Sequence, residues 1–243
     1  MPAVQPNTSK IEAILSESLE AGKLLVSDIE KQKLLREVRA LPIKYQSLAL
    51  EGLIVLLDGQ FERGIDAIEQ SLKLYPLDPV TWGNYSNALS NIGLYSRERE
   101  VLIRSLEYEF PAMAYHTFHF GAFWVDAELM KMGYDKLERY DQLETITDST
   151  QIDVMRMIEF IGEDGASALK KVAEVLMSVL EDESIKAKGS NFLSDGEGYV
   201  SFSVSIDTDD PAYLSYLNDK IIDVMIERGL ETGSGVAYFE AAN

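Results

Sequence analysis

Shifting the chain against itself by 34 residues lays Gly59 on Gly93, Phe61 on Tyr95, Ile68 on Leu102, Ser71 on Ser105 and Leu72 on Leu106. Small and apolar residues recur together, so the signal is a repeating unit and not a coincidence of composition. Each copy reads as two amphipathic helices, Tyr45 to Leu57 then Phe61 to Leu74, and Pro79 to Ile92 then Tyr95 to Tyr108. Gly59 and Gly93 fall in the turns. Pro76 and Pro79 close the first copy, and Asp78-Pro79 supplies a cap and a first-turn proline for the next helix. A chain built this way must stack its helix pairs, because one pair alone cannot bury its apolar face.

The second copy carries Trp82-Gly83-Asn84-Tyr85-Ser86-Asn87-Ala88-Leu89, and the first carries Gly52-x₂-Val55, Gly64-x₃-Ile68 and Pro76. Over residues 42–140 this resembles the tetratricopeptide repeat family, whose unit is a helix-turn-helix with W-x₂-L-G-x₂-Y, then A-x₃-F, then P. There are departures. Leu48 stands for the tryptophan, Glu51 for an apolar residue, and Glu98 for the small residue of the second copy's second helix. A third pair is expected with Phe120-Gly121-x₂-Trp124 in a stretched first helix and its turn at Gly133-Tyr134. Residues 1–41, with helical spacing but no motif, read as an irregular capping pair.

The resemblance implies a concave surface lined by the first helix of each pair, at the positions one, two, four and five residues after the tryptophan. These are Gly83, Asn84, Ser86 and Asn87 in the second copy and Phe118, His119, Gly121 and Ala122 in the third. Asn91 shares the helical face of Asn87. Asparagine both donates and accepts, so Asn84, Asn87 and Asn91 are candidates for holding a peptide backbone. The same faces carry no Lys or Arg between Lys73 and Arg97, which argues against a clamp for C-terminal carboxylates.

Beyond Asp148 the pattern changes. Helical stripes over 151–161 and 165–181 give way to Tyr199-Val200-Ser201-Phe202-Ser203-Val204-Ser205-Ile206, whose alternation marks a strand with one wet face. Ser194-Asp195-Gly196-Glu197-Gly198 reads as a turn, with Ile185 to Phe192 as the hairpin partner. Pro211 to Arg228 is a helix with Leu214, Leu217, Ile221, Ile222, Val224 and Met225 inward, and Gly235 to Ala241 is a last strand. The expected fold is thus mainly α: a tetratricopeptide-like helical-hairpin solenoid over 42–147 behind the cap, then a small α+β domain over 148–243 with a short antiparallel sheet.

Charge narrows the function. The chain has 41 acidic and 22 basic residues, a net charge of −19, of which −14 belongs to residues 141–243. Such a surface repels nucleic acid and anionic membranes and attracts cationic partners. Zero cysteines exclude a disulfide framework, a thiolate nucleophile and Cys-based zinc sites. His116 and His119 are too few for a zinc site without further ligands. Asp207, Asp209 and Asp210 lack an EF-hand's glycine and distant glutamate; they read as a cap for the Pro211 helix and as candidate contacts for a basic partner. Gly233-Ser234-Gly235 lacks a nucleophile or phosphate-loop context and reads as a hinge. No metal or cofactor is implied. The absence of a signal-like start or a long apolar run predicts a cytoplasmic chain. The leading expectation is a non-enzymatic module that docks a protein or peptide. The alternatives are an acidic inhibitor of a basic protein, of the antitoxin, immunity or anti-nuclease type, and a hydrolase using two of its carboxylates.

Overall fold

The computed structural model describes residues 8–195, 199–230 and 235–242. It is mainly helical with one small sheet. The chain divides into two compact units, 1–101 and 102–243, so Asp148 lies inside the second unit and not at its border.

The first unit contains α1 (Thr8–Ala21), α2 (Asp28–Arg39), α3 (Lys44–Leu57), α4 (Phe61–Leu74), α5 (Pro79–Ile92) and the start of α6 (Tyr95–Ser105). The helix ends obey local chemistry. Asp78 accepts the Val80 N–H at 3.3 Å and Pro79 occupies the first turn of α5, while Ser27 and Glu30 form a reciprocal capping box on α2. Gly59 and Gly93 hold φ of 83° and 92° at the turns after α3 and α5. α3 and α4 pack as an intimate pair: a Cβ on Gly64 would lie 2.6 Å from the Leu56 backbone. α2 packs on α3, whereas α1 lies against α3 and α5. Ile11 and Leu15 of α1 therefore share one core with Leu34, Leu35 and Val38 of α2 and with Ile54, Val55 and Leu57 of α3.

The second unit contains α7 (Pro111–Phe123), α8 (Ala127–Arg139), α9 (Ser149–Asp182), β1 (Ala187–Ser194), β2 (Val200–Ile206), α10 (Pro211–Glu227) and β3 (Gly235–Ala241). The third helix pair is not stretched. α7 ends at Phe123, and Trp124 to Asp126 make the turn, with Val125 at φ 50° and the buried Asp126 carboxylate accepting the Leu129 N–H at 3.2 Å. Gly133 is no turn residue. It sits inside α8, where a Cβ would fall 2.5 Å from the Phe118 backbone nitrogen, so its role is to let α7 and α8 touch.

The sheet runs β1-β2-β3. β1 and β2 are antiparallel, as expected, and Phe192 pairs with Phe202. β3 joins parallel to β2, because α10 carries the chain back to the starting end; the sheet is mixed. The even residues of β2 and Phe239 of β3 are buried, and so are Leu169, Val172, Leu176 and Leu180 of α9 and Leu217, Ile221 and Met225 of α10. Ile222, expected inward, is 55% exposed, because it is a quarter-turn from the Ile221 face. The serine face is not all wet either: Ser203 is buried, and the Glu240 carboxylate accepts from Ser203 at 2.9 Å and from Ser205 at 3.3 Å. Gly196 to Gly198 and Gly233-Ser234, read as turn and hinge, lie outside the described residues.

Both sheet edges are guarded. Edge strand β1 carries a register shift against β2 between Ala187 and Gly189, with the charged Lys188 at the irregularity, features that discourage a further strand from pairing. On β3, Asn218 of α10 imitates a neighbouring strand: its Oδ1 accepts the Phe239 N–H at 2.7 Å and its Nδ2 donates to the Phe239 carbonyl at 3.1 Å. Asn218→Ala should cost about 1–3 kcal/mol, since it strips two partners from half-buried groups. Amide exchange reads this directly. Unchanged protection of the Phe239 amide in the variant would show that Asn218 does not seal the edge.

Candidate functional site

In the first unit the first-helix face is partly occupied by the chain's own α1. Asn84 is half-buried and lines a cleft of about 400 Å³ with Leu15 and Leu19 of α1, Leu50 and Leu53 of α3 and Val80. Asn91 is also half-buried, and a Cβ on Gly22 would collide with its carbonyl oxygen. Asn87 is exposed. The three asparagines thus share one helix face, as their spacing implies, but the face is edged by α1. Val80 stays 63% exposed at the mouth of the cleft.

On the opposite side of α5, the residue that breaks the repeat pattern is a buried acid. Glu98 is 7% exposed, and Ser86 lies 3.3 Å from its Oε1. Burial raises its pKa to about 8, opposed only by the Ser90 and Ser86 hydroxyls, and its Oε2 has no hydrogen-bond partner. Ser86, Ser90 and Glu98 fall 34 residues after Gly52, Leu56 and Gly64, the residues that bring α3 and α4 into contact. The second pair replaces a glycine contact by a carboxylic acid facing two hydroxyls.

The third-copy candidates divide. Aligning Pro111 with Pro79 puts Ala114 at the place of Trp82, and His116, Phe118 and His119 at those of Asn84, Ser86 and Asn87. Phe118 is fully buried, its ring 6.2 Å from that of Tyr134, so it is core and not groove lining. Gly121 is buried against Met130 for the same reason. His119 is exposed; its Nδ1 lies 2.7 Å from the Gln151 amide of α9 and its ring stacks on Tyr115. Burial, and then the neighbouring His119, hold the His116 pKa below its ordinary value. Among the described residues no group of three or more acidic or histidine side chains is placed to hold a metal ion.

The acidic cluster does not act as one group. The Asp210 carboxylate caps α10 by accepting the Ala212 N–H at 2.9 Å, Asp207 lies 3.7 Å from Lys188, and Asp209 is exposed.

The second unit also has a concavity that residue spacing does not announce. Between α8 and the first half of α9 lies a cleft of about 470 Å³, floored by Met130, Met155 and Ile158 and bordered by Tyr134, Glu159 and Glu163. It sits where α9 breaks: Gly162 has φ 75° and ψ 178°, a conformation open essentially to glycine alone. The available signal was a glycine inside an otherwise helical apolar stripe.

Comparison with protein-family models, with curated proteins and with solved structures finds no match for this chain. Among the described residues no helix is long and apolar enough to cross a membrane.

Proposed function

We propose that the chain is a non-enzymatic interaction module that docks a helix or peptide of a partner protein on the first-helix face of its first unit. The observation that carries this reading is the cleft beside α1. An amphipathic helix already lies against α3 and α5, and next to it remain about 400 Å³ bounded by Leu50, Leu53 and the exposed Val80, with the Asn84 amide at hand to orient a backbone. The tetratricopeptide resemblance of the sequence supports the same use of the first helices.

Photo-crosslinking in the native cell tests this. A crosslinking residue placed at Asn84 or at Asn87 should capture one and the same protein, and one placed at the exposed Asp66 of α4 should not. Capture from Asp66 alone would assign docking to another face.

A further inference from the structure

We propose that the cleft between α8 and the first half of α9 is a second binding site, for a basic amphipathic helical segment of a protein. The site lies wholly within the second unit and is independent of the first-helix face. Its shape suits a helix. It runs beside α8 from Ala127 to Asp135, which at a rise of about 1.5 Å per residue is roughly 12 Å, about two helical turns, with Met155 to Ala166 of α9 on the other side. A volume of about 470 Å³ exceeds one side chain and suits anchors spaced one turn apart. Its floor suits variable apolar anchors, since the Met130 and Met155 thioethers are flexible and polarisable.

The rim selects the charge. Glu159 and Glu163 flank the break at Gly162 and border the cleft, both exposed, with no ion-pair or hydrogen-bond partner among the described residues. Two carboxylates without partners on one border favour a lysine or arginine over an anionic group there. The cation on the opposite wall, Lys131, is already 3.5 Å from Asp135. The break at Gly162 matters because an unbroken α9 would continue straight past this point; the turn sets Glu163 and Ala166 at the cleft border.

The test uses the full chain and a fluorescein-labelled helical probe of about 14 residues, leucine on one face and lysine on the other. Two controls accompany it: the same composition scrambled to destroy the face, and glutamate in place of lysine. The lysine-faced probe should bind in fluorescence anisotropy, more weakly as salt rises, and the controls should not. Glu159→Gln with Glu163→Gln should weaken it about tenfold, the effect of losing about 1.4 kcal/mol. Met155→Arg should abolish it, with the melting temperature measured beside both variants. In the unmodified chain, bound probe should slow amide exchange over residues 127–135 and 155–166. Equal binding of the scrambled or the glutamate probe would overturn the proposal, and so would absence of slowed exchange on the two walls. A Met155→Arg variant that changes the oligomeric state but keeps the probe would give the cleft to a second copy of the chain.

Discussion

Replacing Trp82 by alanine is expected to cost about 3–5 kcal/mol, the range for emptying a large buried aromatic site. Trp82 is 2% exposed, so almost its entire side chain would leave a cavity. Its indole N–H also donates to the Pro76 carbonyl at 2.8 Å, and this bond ties the α4–α5 turn to the body of α5. The loss is a large part of the roughly 5–15 kcal/mol that holds a domain folded. Trp82→Phe keeps most of the ring and removes the bond, so it should fall between the two. Chemical denaturation followed by helical circular dichroism measures both. A cost below about 1 kcal/mol for the alanine variant would mean that the tryptophan site collapses without penalty and is not a support of the second helix pair.

Replacing Glu98 by glutamine should have the opposite sign at neutral pH. A carboxyl with a folded-state pKa near 8 and an ordinary value of 4.5 keeps its proton on folding, whereas the unfolded chain loses it above 4.5. Between these values the folded state binds more protons than the unfolded one, so stability falls as pH rises, by about 1.4 kcal/mol per pH unit. The contribution is fully present below about pH 4.5 and is lost by about pH 8. At pH 7 the accumulated penalty is about 3 kcal/mol, and glutamine, of the same shape and uncharged, removes it. The variant should therefore be more stable than the parent at pH 7, and the two should converge near pH 4.5. A parent whose stability does not fall relative to the variant between pH 5 and 8 would show that Glu98 is ionised in the fold, with water or a rearranged serine on its free oxygen.

The two unexpected sites share a cause. Glu98 was visible as a departure from the repeat, but its meaning depends on Ser86 and Ser90 across the helix pair, which the 34-residue offset from Gly52 and Leu56 could have supplied. The α8–α9 cleft depends on the direction in which a broken helix leaves Gly162. Helical spacing marks Met155 and Ile158 as inward-facing and says nothing of whether the neighbouring helix fills the space.

What chain order alone determined are the features made by residues within about four positions of one another. The caps at Asp78 and Asp210, the prolines that follow them, the turns at Gly59 and Gly93 and the alternation of β2 are such features, because their hydrogen bonds and side-chain faces close locally. Tertiary packing decided the rest. The sequence pattern places a turn at Gly133, yet the residue serves a close approach of two helices; a glycine needed for a positive φ and one needed for its missing Cβ are the same letter. The real turn carries Val125, which local preference would never place at φ 50°, and which the surrounding pair holds there. The parallel entry of β3, the seat of α1 on α3 and α5, and the burial of Phe118 are equally non-local, since each joins segments whose contact is worth making only once the others are in place.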